Sequence, residues 1–292
     1  MNLKEIFSRT KKAEPPKANV AKRTVAMKLT AHKEKIGWAS PVYSQSRAVE
    51  LDPATLAKHR IVAMIPDGPD IDFYKVLRTR ILRRIQDQGG RSLMITSAVP
   101  GEGKTVTAIN LALTFAMGYE QTVLLVDGDL RIQRIHELMG YESDKGLLDY
   151  LLAERPLLDI IVWPGIEKLT VISGGRTIHE SSEILSSARM RELVAEMKSR
   201  YPERYVIFDV PPVLIGADAM AFAPLVDGII VVVQAGQTSM REVNHALQLL
   251  PKEKVLGLVL NRASTDKNLY YSHYYSGKQQ TINPPEEKKS QE

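Results

Sequence analysis

A doubly wound, mostly parallel α/β sheet is the fold that this 292-residue chain predicts. Three observations lead there. Short β-prone segments alternate with segments of helical apolar spacing from residue 92 to residue 260. One of them, Gly228-Ile-Ile-Val-Val-Val233, is continuously apolar, as a strand covered on both faces must be. A glycine-rich loop, Ala98-Val-Pro-Gly-Glu-Gly-Lys-Thr105, joins the β-prone run at 92–96 to a run in which Val106, Ile109, Leu113 and Met117 keep helical spacing.

The elements follow in order. Residues 1–66 are rich in Lys, Ala, Pro and Ser and lack sustained periodicity, so a basic, mostly disordered or loosely docked arm is expected there. Within it, residues 1–7 suit a helical turn, and Asp52 followed by Pro53 reads as the start of a short helix over 51–63. The core domain is expected over 67–263 and opens with a helix at 70–88, stopped by Gly89-Gly90. Tyr74, Leu77, Ile81 and Ile85 form its packing stripe, while Lys75, Arg78, Arg80, Arg83 and Arg84 make the rest basic. After the loop come a strand at 122–126, a short helix at 146–153 and a strand at 169–173. One long helix is expected over 182–200, where Met190, Leu193, Val194 and Met197 keep i, i+3, i+4, i+7 spacing. Strands at 205–208, 228–233 and 255–260 complete the pattern, with a helix at 239–250 between the last two. Residues 264–292 read as a tyrosine cluster followed by a disordered tail.

Composition sets the bounds. With 44% hydrophobic and 25% charged residues the chain can bury one sizeable core with appendages, and its lack of cysteine excludes disulfides and thiolate metal sites. No apolar run approaches the roughly 18 residues that span a bilayer, and the N-terminus lacks a signal-peptide core, so a cytosolic protein is expected. The net charge of +5 is uneven: residues 1–36 hold ten Lys/Arg against three Glu, a local +7, and the remainder carries −2. The arm therefore suits anionic lipid, nucleic acid or an acidic partner, or is simply a solvated tail.

The loop fits the phosphate-binding pattern with Ala98 at the usual first glycine. Gly101 and Gly103 let backbone N–H groups turn inward, and the following helix adds its positive end. Pro100, Gly101, Glu102, Gly103, Lys104, Thr105 and Val106 are the candidate nucleotide contacts, with Lys104 on the β- and γ-phosphates and the Thr105 hydroxyl on Mg²⁺. In sheets of this kind, acids at the carboxyl ends of strands meet the ligand. Leu124-Leu-Val-Asp-Gly-Asp-Leu-Arg131 puts Asp127 and Asp129 there, with Arg131 able to pair with a carboxylate or a phosphate oxygen. Val206-Ile-Phe-Asp-Val-Pro-Pro212 adds Asp209, which suits Mg²⁺ through a bound water.

Taken together, AVPGEGKT, LLVDGDLR and VIFDVPP resemble, in order and spacing, the three motifs of the bacterial tyrosine kinases, the CapB-like cytosolic kinases of capsule and exopolysaccharide export. The resemblance covers residues 70–276 and implies a P-loop NTPase type of sheet. Two further stretches carry it. Tyr270, Tyr271, Tyr274 and Tyr275, four of the chain's eleven tyrosines, fall within six residues and resemble that family's phosphoacceptor cluster. Asp72, Lys75 and Arg78 stand at the positions of its oligomerisation pattern Glu-x-x-Arg-x-x-Arg, with Lys lacking the planar fork of Arg. Ile132-Gln133 departs from the Arg-Pro of many relatives.

The resemblance implies ATP-dependent tyrosine autophosphorylation in trans within a ring. Lys104, Asp127, Asp129 and Asp209 are then catalytic, and Thr105, Asp127 and Asp209 organise Mg²⁺. Asp127 is the favoured acceptor of the phenol proton and Asp129 the alternative. It also implies a membrane chain-length regulator as activator, a cognate tyrosine phosphatase, a peripheral location at the inner membrane through the partner, and no nucleic-acid ligand. Two rival readings remain at this level. A partition or septum-placement ATPase would carry a second lysine five residues before Lys104, where this chain has Val99, and would lack the terminal tyrosine cluster; against a nucleotide-gated regulator whose kinase activity has decayed stand the intact Lys104, Asp127, Asp129 and Asp209.

Overall fold

Eight strands form one sheet in the order β1-β4-β5-β3-β6-β2-β7-β8. The computed structural model describes residues 46–64, 70–87, 89–118, 120–153 and 155–263. The turn expected at residues 1–7, the basic stretch 1–36 and the tyrosines at 270–275 lie outside them. The strands are β1 (Arg47–Ala48), β2 (Ser92–Ser97), β3 (Thr122–Asp127), β4 (Ile161–Trp163), β5 (Leu169–Ile172), β6 (Arg204–Asp209), β7 (Gly228–Gln234) and β8 (Val255–Asn261). The helices are α1 (Pro53–Lys58), α2 (Ile71–Gln86), α3 (Lys104–Ala116), α4 (Ile135–Met139), α5 (Leu147–Ala153), α6 (Leu157–Ile160), α7 (Ser181–Leu185), α8 (Ala188–Ser199), α9 (Asp218–Phe222) and α10 (Met240–Gln248). Every neighbouring pair of strands is parallel except β4 and β5.

Strand alternation divides the core into two clusters. Met94, Leu124, Val206, Phe208 and Val231 pack with Met190, Leu193 and Met197 of α8. Leu93, Ile95, Val123, Ile207 and Ile230 pack with Ile109 and Leu113 of α3 and with Ile81 and Ile85 of α2. Both faces of the central strands are thus covered, which explains their unbroken apolar runs.

Three features depart from expectation or go beyond it. The single helix expected over 182–200 is two, because Ser187 takes an extended backbone (φ −62°, ψ 156°) and its hydroxyl accepts a hydrogen bond from the Met190 N–H at 3.1 Å. A serine that caps a new helix competes with continuation of the old one. Before residue 67, Leu56, Ile61 and Ala63 are buried, so part of the segment expected to be loosely docked contributes to the core. Asn110 of α3 holds it: its Oδ1 accepts from the Ala63 N–H and its Nδ2 donates to the Arg60 carbonyl, each at 3.0 Å. The expected cap is present, with Asp52 accepting from the N–H groups of Ala54 and Thr55. Finally, β1, β4, α4, α6 and α9 are too short to show a period, and sequence patterning passed over them.

Asp227 ties the amino ends of β2 and β7 together. Its Oδ2 accepts from the N–H groups of Arg91 (2.8 Å) and Ser92 (3.0 Å) and from the Ser92 hydroxyl (2.8 Å), while Oδ1 pairs with Lys198. Burial works against the carboxylate, but these donors outweigh it and hold its pKa below the ordinary value. A depressed pKa gives stability above the unfolded pKa and loses it as pH falls through the folded one, here below about pH 4. Asp227→Ala is expected to cost about 2 kcal/mol in urea unfolding at pH 7, with the difference from wild type shrinking in acid.

Candidate active site

Strand register assembles the site. Asp127 at the end of β3 lies opposite Asp209 at the end of β6, and Asp209 lies beside Ile95 of β2. The chain leaves β2 directly into the phosphate loop, so the acids and the loop meet where the order of connection reverses. Gly128 makes the approach possible: its N–H donates to the Asp209 carbonyl at 2.8 Å, and a Cβ there would sit 3.0 Å from that oxygen. Beyond Asp209 the chain keeps to β2, with the Thr96 hydroxyl donating to the Pro211 carbonyl at 2.7 Å and the Val213 N–H to Ser97 at 2.8 Å.

Lys104 is the centre of the charge arrangement. Its Nζ lies 2.8 Å from Asp129 Oδ2 and 3.2 Å from Asp209 Oδ2, and all three side chains are largely buried. Burial lowers the affinity of Lys104 for its proton, yet the carboxylates of Asp209 and Asp129 outweigh it and its pKa is raised. The Thr105 hydroxyl donates to Asp209 Oδ2 at 2.6 Å. Burial raises the pKa of Asp209 against the opposing pull of Lys104 and Thr105. Asp127 is fully buried and receives three backbone N–H groups, from Asp129 on Oδ1 (3.2 Å) and from Arg134 and Ile135 on Oδ2 (3.1 Å each). Burial, reinforced by Asp209, pushes its pKa up to about 8.

Asp209 Oδ1 is buried with no hydrogen-bond partner in the structure. A buried carboxylate oxygen in that condition, next to a hydroxyl and at the mouth of a phosphate loop, is a fit for a hydrated divalent cation. Among the described residues no three His, Cys, Asp or Glu side chains converge as a metal cage. Mg²⁺ needs none, since it usually takes one or two protein oxygens beside phosphates and water.

The predicted contacts do not all face the same way. Glu102 is buried and braces the loop: it accepts from the Val99 N–H (2.8 Å), the Gln234 N–H (3.1 Å) and the Thr238 hydroxyl. Its side chain therefore holds the cradle in place, leaving its backbone for a ligand. Gly103 has φ +91°, and a Cβ there would lie 2.2 Å from Asn261 Nδ2, which donates to the Glu102 carbonyl at 2.7 Å. Asn261, Gln234 and Thr238 belong to no local motif; the one signal that could have found Asn261 is its place at the carboxyl end of β8. Arg131 pairs with a carboxylate, as one of its two expected partners, and that carboxylate is Asp218. On α2, Lys75 pairs with Asp72 at 2.9 Å, whereas Arg78 donates to the Thr114 carbonyl of α3 at 2.5 Å.

Comparison with known proteins agrees with this geometry. A family model described as an AAA domain matches residues 91–255. The tyrosine-protein kinase YwqD of Bacillus subtilis (strain 168) is 34% identical over 220 residues, which cover 74% of this chain and 92% of that protein. This chain belongs to the bacterial tyrosine kinases. The kinase domain of the Escherichia coli tyrosine kinase ETK superposes with a TM-score of 0.65 at 28% identity, covering 80% of this chain and 94% of that one. The succinoglycan biosynthesis transport protein ExoP of Rhizobium meliloti (strain 1021) is 32% identical over 234 residues, 75% of this chain but 29% of that longer protein. The chain is thus a nucleotide-binding protein-tyrosine kinase with relatives in exopolysaccharide biosynthesis, and the partition-ATPase reading gives way.

Proposed function

We propose that this kinase transfers the γ-phosphoryl group of ATP to Tyr270, Tyr271, Tyr274 and Tyr275 of its own C-terminal cluster, between subunits, and so regulates polymerisation and export of a capsule or exopolysaccharide. The observation that carries the reading is the buried cluster in which Lys104 faces Asp129 and Asp209 beside Asp127, at the N-terminus of α3. One cation and three acids around a phosphate cradle suit a transfer governed by position and charge.

In this reading the bond from the γ-phosphorus to the bridging oxygen of ADP breaks, the phenol oxygen bonds to phosphorus, and the phenolic proton passes to a carboxylate. Lys104 turns from Asp129 and Asp209 to the β- and γ-phosphate oxygens, which the N–H groups of residues 101–106 also face. Thr105, Asp127 and Asp209 would hold Mg²⁺, directly or through water, and the ion would supply positive charge against the phosphates. Asp127 is the favoured proton acceptor, as in the family this chain resembles. Asp129, released when Lys104 moves, is the alternative.

The wider assignments rest on the family. A membrane chain-length regulator serves as activator, a cognate tyrosine phosphatase reverses the modification, and Asp72, Lys75 and Arg78 of α2 contribute to a ring. Among the described residues no helix is long and apolar enough to cross a membrane, which suits a peripheral kinase brought to the inner membrane by its partner.

The test is tryptic mass spectrometry of the full chain after incubation with ATP and Mg²⁺, beside a variant with all four tail tyrosines changed to Phe. Phosphate on the peptide spanning 270–275 is expected in the wild type, with none elsewhere in the variant. If nucleotide binds and no tyrosine is modified, even with the regulator's cytosolic segment added, the nucleotide-gated regulator replaces this reading.

A further inference from the structure

Behind Arg131 lies a pair of buried polar side chains that the phosphate site does not itself require. Arg131 Nε donates to the Ser181 hydroxyl at 2.7 Å and lies 3.2 Å from Asp218 Oδ2, and the Ser181 hydroxyl in turn donates to Asp218 Oδ1. The Asp218 side chain is 3% exposed and Ser181 is fully buried, whereas Arg131 is 37% exposed. A closed triangle of carboxylate, hydroxyl and guanidinium Nε is therefore sunk into the protein, with the rest of the guanidinium outside it. The two Nη groups lie beside Gly216, where a Cβ would meet them at 3.7 and 3.8 Å, and among the described residues neither makes a hydrogen bond.

We propose that Asp218 and Ser181 are positioning residues, which fix Arg131 by its Nε so that both Nη groups are presented to the phosphoryl group in transfer. The inference rests on the reading of the Lys104 cluster as the phosphotransfer centre. Three points support it. The loop that carries Arg131 is already anchored to that centre two residues earlier, since Asp129 holds Lys104 through Oδ2 and accepts the Ile132 N–H through Oδ1 at 3.0 Å. A guanidinium gripped at Nε keeps its planar pair of terminal donors free, and such a pair matches two oxygens of a phosphoryl group. Holding the side chain from behind also removes its rotamer freedom before the reaction, when developing charge on the equatorial oxygens needs donors already in place. The three partners come from three separate elements: the loop after β3, α7 and α9. This is why no local motif advertised them.

The decisive experiment measures phosphate incorporated into the 270–275 peptide by full-length protein, with the affinity for Mg·ADP measured in parallel. Asp218→Asn is expected to slow transfer about 10²-fold, the scale of a small misplacement of a catalytic group, while binding Mg·ADP within about twofold of wild type. Ser181→Ala, which leaves the buried charge pair in place, should give a smaller loss in the same direction with only a modest fall in melting temperature. The cycle with Arg131→Ala separates positioning from mere folding: Arg131→Ala/Asp218→Asn should be no slower than Arg131→Ala alone. Independent, multiplying losses would overturn the inference, as would unchanged or faster transfer in Asp218→Asn, the result expected if Asp218 held Arg131 back. A wild-type chain that modifies no tyrosine overturns the functional reading and this inference with it; wild-type transfer with an indifferent Asp218→Asn overturns this inference alone.

Discussion

Lys104→Met is expected to reduce phosphoryl transfer by at least about 10²- to 10³-fold, the range for deleting one charge-stabilising donor, and to weaken the fold of the nucleotide-free protein as well. The second effect follows from the geometry. Lys104 is the cation nearest to Asp129 and Asp209, both buried, at 2.8 and 3.2 Å. Removing one partner from a buried pair leaves uncompensated charge and costs about 3–5 kcal/mol. The Asp209 carboxyl, whose pKa burial already raises, can escape that cost by taking up a proton, so the loss in stability should grow as pH rises. Mg²⁺ brings positive charge to the same oxygens, so adding it should restore much of the melting temperature without restoring activity. Thermal denaturation across pH, with and without Mg²⁺, checks this. A variant as stable as wild type throughout would mean that these ion pairs do not hold the site together.

Binding of Mg·ADP near pH 7 is expected to release about one proton. Burial beside Asp209 raises the pKa of Asp127 to about 8, which favours a proton on this pair of carboxyls in the nucleotide-free protein, and a cation at the site favours the carboxylates. The sign follows directly: a ligand that prefers the deprotonated form expels the proton, so affinity rises with pH by at most about tenfold per unit and levels off above that pKa. Calorimetry in buffers of different ionisation enthalpy reads the proton count. Asp127→Asn should abolish the release, while Asp129→Asn should not. Proton uptake on binding, or release unaffected by Asp127→Asn, would show that another group titrates.

Local signals carried most of the architecture. The phosphate loop was legible because its glycines, lysine and threonine are contiguous, and β2, β3, β6 and β7 because continuous apolar runs have few other uses. Asp127 and Asp209 were legible because each closes such a run, and parallel register then brought them together. What escaped was set by distance in the chain. The direction of Glu102 depends on Gln234 and Thr238, more than 130 residues away. The grip on Arg131 depends on Ser181 and Asp218. The break at Ser187 escaped because an apolar stripe continued through it, and one hydroxyl decided the matter.

Asn261 has a consequence for kinetics. By donating to the Glu102 carbonyl at 2.7 Å it fastens the last residue of β8 to the phosphate cradle itself, so the C-terminal segment departs from the rim of the site. Tyr270 follows nine residues later and Tyr275 fourteen, a leash that fully extended reaches roughly 30 to 50 Å. On the proposed reading, in which these tyrosines are the acceptors, their supply would be governed by that reach rather than by the bulk concentration of protein. On that reading, dilution would leave the supply untouched within the proposed ring, and would end it only by separating the subunits.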